Sequence, residues 1–207
     1  MANFAIPIEP VANLGGAVSF PCDYIIEESG QTFLYGTPVN INGTDGGVQA
    51  WSGITTFTNV IAGIALFQGS NLGTTGAGSP QGFTPVLGPG SVIGNYAANP
   101  NQPLAVITPA LVPFNDGRIL VALPAQSTLF VAKYGTSGSA AATTNQLVGG
   151  APLGLTKDTN NLWYVDSAKT GGCSMLQIVR LDPRDAVGTV GGRVWFYFLP
   201  AAAQLQP

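Results

Sequence analysis

Asp182 and Asp185 stand three positions apart in "LDPRDAVGTVGGRVWFYFLP", residues 181–200, with Arg184 between them, Arg180 just before and Arg193 a short loop beyond. Paired carboxylates carry out glycoside or phosphate chemistry when one is buried and kept protonated while the other stays ionised across a substrate gap. Such a pair would make this stretch the working end of a hydrolase. Its neighbours argue against that, because guanidinium groups at Arg180 and Arg184 hold both acids ionised, the wrong tuning for a general acid. Asp-Pro also favours the start of a turn. The spacing therefore predicts a connection stabilised by an Asp and Arg network and leading into a terminal core strand, with no catalytic residue.

No second constellation replaces it. The chain contains no histidine, so the commonest general base is missing and zinc sites built on Cys and His are excluded. No serine sits in a Gly-x-Ser-x-Gly elbow, and "GTTGAGSPQG" lacks the Gly-Lys-Ser/Thr of a phosphate loop. Asp45 in "NGTDGG" is followed by no spaced acidic series that would complete a calcium site. Neither a metal nor another cofactor is expected, and the chain reads as no enzyme. Cys22 and Cys173 have no CxxC partner; they are expected as small, buried, reduced thiols.

The elements that position these residues follow from the breakers. Among 207 residues there are 28 Gly and 16 Pro, spread so evenly that few stretches can hold a three-turn helix. Between the breaks lie "QTFLYGTPVNIN", "GVQAW", "IAGIALF", "LAVITPALVPF", "RILVALP", "TLFVAKY", "LWYVD", "MLQIVRL" and "RVWFYFL". Short runs rich in β-branched and aromatic residues, bounded by turn residues, predict an all-β fold: a compact β-barrel or sandwich of short antiparallel strands. Asn-Gly and Asp-Gly in "NGTDGG", residues 42–47, predict a hairpin, as do "NDG" at 115–117 and "KDTNN" at 157–161. Alternation in "RVWFYF" turns Val194, Phe196 and Phe198 to the core, and Trp195 and Tyr197 to a second layer or an interface.

Two segments depart from this pattern. The N-terminal "MANFAIPIEPVANLGG" has recurrent prolines with Phe4, Ile6, Ile8, Val11 and Leu14 between them. Proline removes ladder donors, so residues 1–20 are expected as an extended N-terminal arm or edge segment, with those five side chains as anchors on a partner. Residues 69–103 form a long Gly/Pro-rich stretch too apolar for a disordered linker, expected as a loop that packs on a neighbour. The β-domain then spans 21–207, divisible into 21–68 with 104–125 and 126–207, around the insertion 69–103.

Charged residues make up 8% of the chain, against about 25% in ordinary soluble domains. Such a surface suits a subunit whose neighbours cover it. The seven Lys and Arg are scattered from Arg118 to Arg193, so no basic face exists for nucleic acid. No apolar run reaches the roughly 18 residues of a membrane span, and the first residues lack a cationic signal start, which leads to an expectation of synthesis in a host cytoplasm.

In its second half the chain resembles a known family. "STLFVAKYG", "GLTKDTNNLWYVDS" and "VRLDPRDAVGTVGGRVWFYFLP" resemble the ending of head decoration, or cement, proteins of tailed bacteriophages, and "GTPVNINGTDGGVQAW…IAGIALF" looks like the first β-unit of similar virion proteins. The likeness covers about residues 30–67 and 104–200. It implies a virion structural protein on the capsid exterior, binding the major capsid protein and copies of itself, with a trimer favoured, and strengthening the head. Two alternatives stand beside it: another virion component, such as a tail or fibre subunit, and a carbohydrate-binding β-module stacking sugars on Trp51, Trp163, Tyr164, Trp195 or Tyr197.

Overall fold

The computed structural model describes residues 5–13, 20–28, 34–44, 46–53, 61–66, 86–87, 91–92, 118–125, 127–137 and 150–205. They form an all-β, sandwich-like fold of two principal sheets, not a closed barrel. In chain order the strands are β1 (Glu9–Asn13), β2 (Cys22–Ile26), β3 (Pro38–Ile41), β4 (Val48–Ala50), β5 (Gly63–Ala65), β6 (Val86–Leu87), β7 (Ser91–Val92), β8 (Arg118–Ala122), β9 (Thr128–Gly135), β10 (Gly154–Lys157), β11 (Trp163–Asp166), β12 (Leu176–Leu181) and β13 (Arg193–Phe198). Helical structure among the described residues is confined to 3₁₀ turns at Gly171–Cys173 and Pro200–Ala202. No described helix is long and apolar enough to cross a membrane.

One sheet runs β2-β8-β5-β3-β4, and the other runs β10-β11-β9-β13-β12 with β1 also on β9. All pairings are antiparallel except β11 on β9. The "NGTDGG" and "KDTNN" segments each join a hairpin, β3–β4 and β10–β11. In the second, Asp158 Oδ1 accepts from the amides of Asn160 and Leu162, and Asn161 takes a φ of 62°, a left-handed position that asparagine tolerates. The expected "NDG" hairpin and "LAVITPALVPF" strand lie outside the described residues. Within the 69–103 stretch, β6 and β7 pair antiparallel. Strands β1, β2, β6, β7 and β10 lie outside the β-branched and aromatic runs of the sequence.

The main core lies between the sheets, where Ile8, Trp51, Ile61, Ile64 and Ala122 meet Phe130, Trp163, Phe196 and Phe198. Phe130, Phe196 and Phe198 form a ring cluster with centroids 5.2 to 6.0 Å apart, the offset and edge geometries that aromatic quadrupoles favour. Val39, Val48, Ala65, Ile119 and Val121 make a second, aliphatic cluster, with Ile25 packed against it. Because β2 and β4 lie at opposite ends of their sheet and both feed this cluster, the sheet curls around it. A single parallel bridge, Glu27 to Val48, ties the two ends. Gly63 permits the close β5–β8 approach: a Cβ there would fall 2.2 Å from the carbonyl oxygen of Ala122.

Of the two forms expected for the N-terminal segment, an extended arm or an edge segment, residues 9–13 take the edge form. β1 is an edge strand of the six-stranded sheet, and Pro10 is accommodated there because an edge strand leaves one side of its ladder unused. The register shifts between Pro10 and Ala12, which leaves Val11 at the bulge. The amide of Ala5 donates to Asp158 Oδ2 at 3.3 Å. Gly36, at φ 78°, is packed so closely that a Cβ would sit 2.6 Å from the backbone nitrogen of Ile8. Residues 5–13 are thus built into the domain.

Candidate functional site: the clamped loop between β12 and β13

β12 and β13 pair with Leu181 opposite Val194, and the connection between them, Asp182 to Gly192, is held by both carboxylates. Proline after Asp182 starts a turn that closes with the amide of Asp185 donating to the carbonyl of Asp182 at 3.1 Å. Fully buried Asp182 accepts three hydrogen bonds from Arg184: from its amide at 2.9 Å, from Nε at 2.8 Å and from Nη2 at 2.5 Å. A fourth bond comes from Trp195 Nε1 at 3.0 Å. Asp185 accepts from Arg193, through the amide at 2.6 Å, Nε at 3.0 Å and Nη2 at 2.7 Å. Each acid therefore faces a bidentate guanidinium, the strongest common form of ion pair.

The electrostatics follow. Hydrogen bonds from Arg184 hold the Asp182 carboxyl well below the usual carboxylate range, against the opposing effect of burial. Hydrogen bonds from Arg193 lower Asp185 to about 2. Both groups are ionised at neutral pH, so neither is a proton donor there, and the two arginines occupy their lone pairs. The Asp and Arg network read from the sequence is present, with one correction of partners. Arg193, not Arg180, clamps Asp185, and the Arg180 guanidinium lies over the Trp195 ring at 3.8 Å.

Beyond the clamps the loop makes two successive turns. The amide of Thr189 donates to the carbonyl of Ala186 at 3.1 Å, and that of Gly192 to Thr189 at 3.3 Å. Gly188 and Gly191 have φ of 86° and 62°. A positive φ at the third position only defines a type II turn and explains glycine at each. The second position, at the outer corner, is valine both times: Val187 is 74% exposed and Val190 58%. These valines are functional candidates that the sequence reading missed; the repeated Val-Gly in "AVGTVGG" is the signal that marks them.

The other expected site residues fall elsewhere. Ile8 is fully buried in the chain's own core between the sheets, so it has no surface left with which to anchor a partner. Ile6 and Val11 are half-buried. Phe4 and Leu14 lie outside the described residues. The three tryptophans are committed to internal contacts. Trp51 and Trp163 are buried and stacked at 4.8 Å, and Trp195 is covered by Arg180 and bonded to Asp182. Tyr197 is half-buried on the same face as Trp195, while Val194, Phe196 and Phe198 point into the core as the alternation requires. Cys22 is exposed and Cys173 partly so, a correction to the expectation of burial; neither is in a disulfide. Among the described residues no group of three His, Cys, Asp or Glu side chains is placed to hold a metal ion.

Comparison with known proteins gives no relative: no family model, no curated protein and no solved structure matches the chain.

Proposed function

We propose that this chain is a virion structural protein that binds the outside of a phage capsid and stabilises the head, through contact with the major capsid protein and with copies of itself. The observation that carries the reading is the clamped loop. Its two acids are spent on internal ion pairs, and the corners of its two outer turns are the apolar Val187 and Val190, beside the half-exposed Arg184. Rigid turns tipped by valine lose little entropy on docking, which favours adhesion. The low charge of the whole chain, 8%, suits a subunit with covered surfaces. Support also comes from the resemblance of the β9, β10–β11 and β12–β13 segments to cement proteins. Engagement of all three tryptophans within the fold weighs against sugar stacking.

The test is to mix the protein with undecorated heads and measure occupancy and the temperature at which DNA is released. Stoichiometric binding with a raised release temperature is expected. Absence of both would sink the proposal.

A further inference from the structure

The "NGTDGG" turn between β3 and β4 carries the single Asn-Gly step of the chain, Asn42–Gly43, and the proposed function uses neither residue. Both ends of the Asn42 carboxamide are engaged. Oδ1 accepts from the amide of Thr44 at 3.0 Å, which folds the side chain over Gly43, and Nδ2 donates to Glu28 Oε1 at 3.1 Å. The backbone of Asn42 closes the turn, donating to the carbonyl of Gly47 at 2.8 Å and accepting from the amide of Gly46 at 2.9 Å. Gly43 is exposed, its amide donates to none of the described residues, and the space where a Cβ would lie is open. Glu28 Oε2 is buried with no hydrogen-bond partner. The Asn42 amide is thus the one side-chain donor to that carboxylate among the described residues.

We infer that Asn42 is a self-modification site: the Gly43 nitrogen attacks its carboxamide, water completes the conversion to an acid, and loss of the donor to Glu28 loosens the seam that closes the five-stranded sheet. A following residue without a Cβ lets the backbone nitrogen approach Cγ closely, and the Thr44 N–H polarises the side-chain carbonyl where negative charge develops. The Gly43 amide gives its proton to solvent and its nitrogen bonds to Cγ; the Cγ–Nδ2 bond breaks, and Nδ2 takes up a proton and leaves as ammonia. Water then opens the cyclic imide at either carbonyl, giving aspartate or isoaspartate. One water enters, one ammonia leaves, and nothing is oxidised or reduced. Aspartate replaces the donor to Glu28 with a second negative charge, and like charges held together away from water repel. Isoaspartate removes the same donor and adds a methylene to the main chain, so the Gly46 bond to the Asn42 carbonyl is lost. The seam lies beside them: the Glu28 amide donates to the Val48 carbonyl at 2.9 Å, Glu27 bridges to Val48, and fully buried Val48 belongs to the aliphatic cluster. The change needs no partner, so it holds whether or not the chain binds a shell.

Mass spectrometry of the folded full chain, held at mildly alkaline pH and mapped over time, tests the chemistry. The Asn42 peptide should gain the mass of water less that of ammonia at least about tenfold faster than any other asparagine, with isoaspartate among the products. Gly43→Ala should slow this by at least about tenfold without harm to the fold, since the added Cβ meets nothing and the φ there is not positive. Asn42→Asp reproduces one product and should melt about 2–4 °C below wild type, with Glu28→Gln in the same chain restoring most of the loss. Hydrogen exchange on the aged wild type, which needs no variant, should show reduced protection in β3 and β4. Conversion at Asn42 no faster than elsewhere, or undiminished in Gly43→Ala, overturns the inference. So does an Asn42→Asp chain as stable as wild type, a deficit that Glu28→Gln leaves in place, or full protection in the aged chain.

Discussion

The two sheets reach stability by different means. The six-stranded sheet holds the Phe130, Phe196 and Phe198 cluster and both carboxylate clamps. In contrast, the five-stranded sheet curls around a small aliphatic cluster, and no Lys or Arg precedes Arg118 in the chain. Rings and ion pairs fix geometry; small aliphatic side chains fill space with fewer orientational demands. The sheet with strong fixtures projects a shaped loop.

Removing a ring should break the comparison hardest. Phe196→Ala is expected to cost about 3–5 kcal/mol, measured by denaturant unfolding, because the ring packs on two others in a fully buried site. Ile8→Ala should cost about 2–5 kcal/mol; a loss near zero would show that the N-terminal segment is the free arm its prolines suggest.

Next come the clamps. Asp182→Asn should cost about 1–3 kcal/mol, since the Trp195 indole loses a charged acceptor while the exposed Arg184 can turn to water. Acid should act the same way. Both folded pKa values are depressed, so the stability they contribute is complete above the ordinary carboxylate value of 3.8 and is lost as pH falls through the folded values, with Asp185 at about 2. For Asp185 this amounts to about 2 kcal/mol, read as the difference between wild type and Asp185→Asn in melting followed from pH 5 downward, a range set by those values. The smallest effect belongs to the aliphatic cluster, where Ile119→Val should cost about 0.5–1.5 kcal/mol.

What the sequence made legible was local. Asn-Gly, Lys-Asp-Thr-Asn-Asn and Asp-Pro each encode a turn within a few residues, and the alternation of "RVWFYF" encodes its two faces. What stayed hidden needed distant partners. Pro7 and Pro10 look like an arm until β9 supplies a ladder, and β2 has too short and mixed a run, "CDYII", to stand out. Trp51 meets Trp163 only because two sheets close on each other. At the candidate site the ion-pair network was readable from charge spacing, but the exposure of Val187 and Val190 was not. Residue type alone assigns valine to an interior, and the two positive-φ glycines turn these valines out.

The central claim is that Asp182 and Asp185 are clamps on a presenting loop and not an acid–base pair. Carboxyl-carbon NMR titration of the two side chains tests it most directly. The account predicts that both titrate below the ordinary carboxylate value, Asp185 at about 2 and Asp182 lower still, with the amides of Arg184 and Arg193 shifting in step. Titration of either acid above the ordinary value, as a buried proton donor requires, would contradict it.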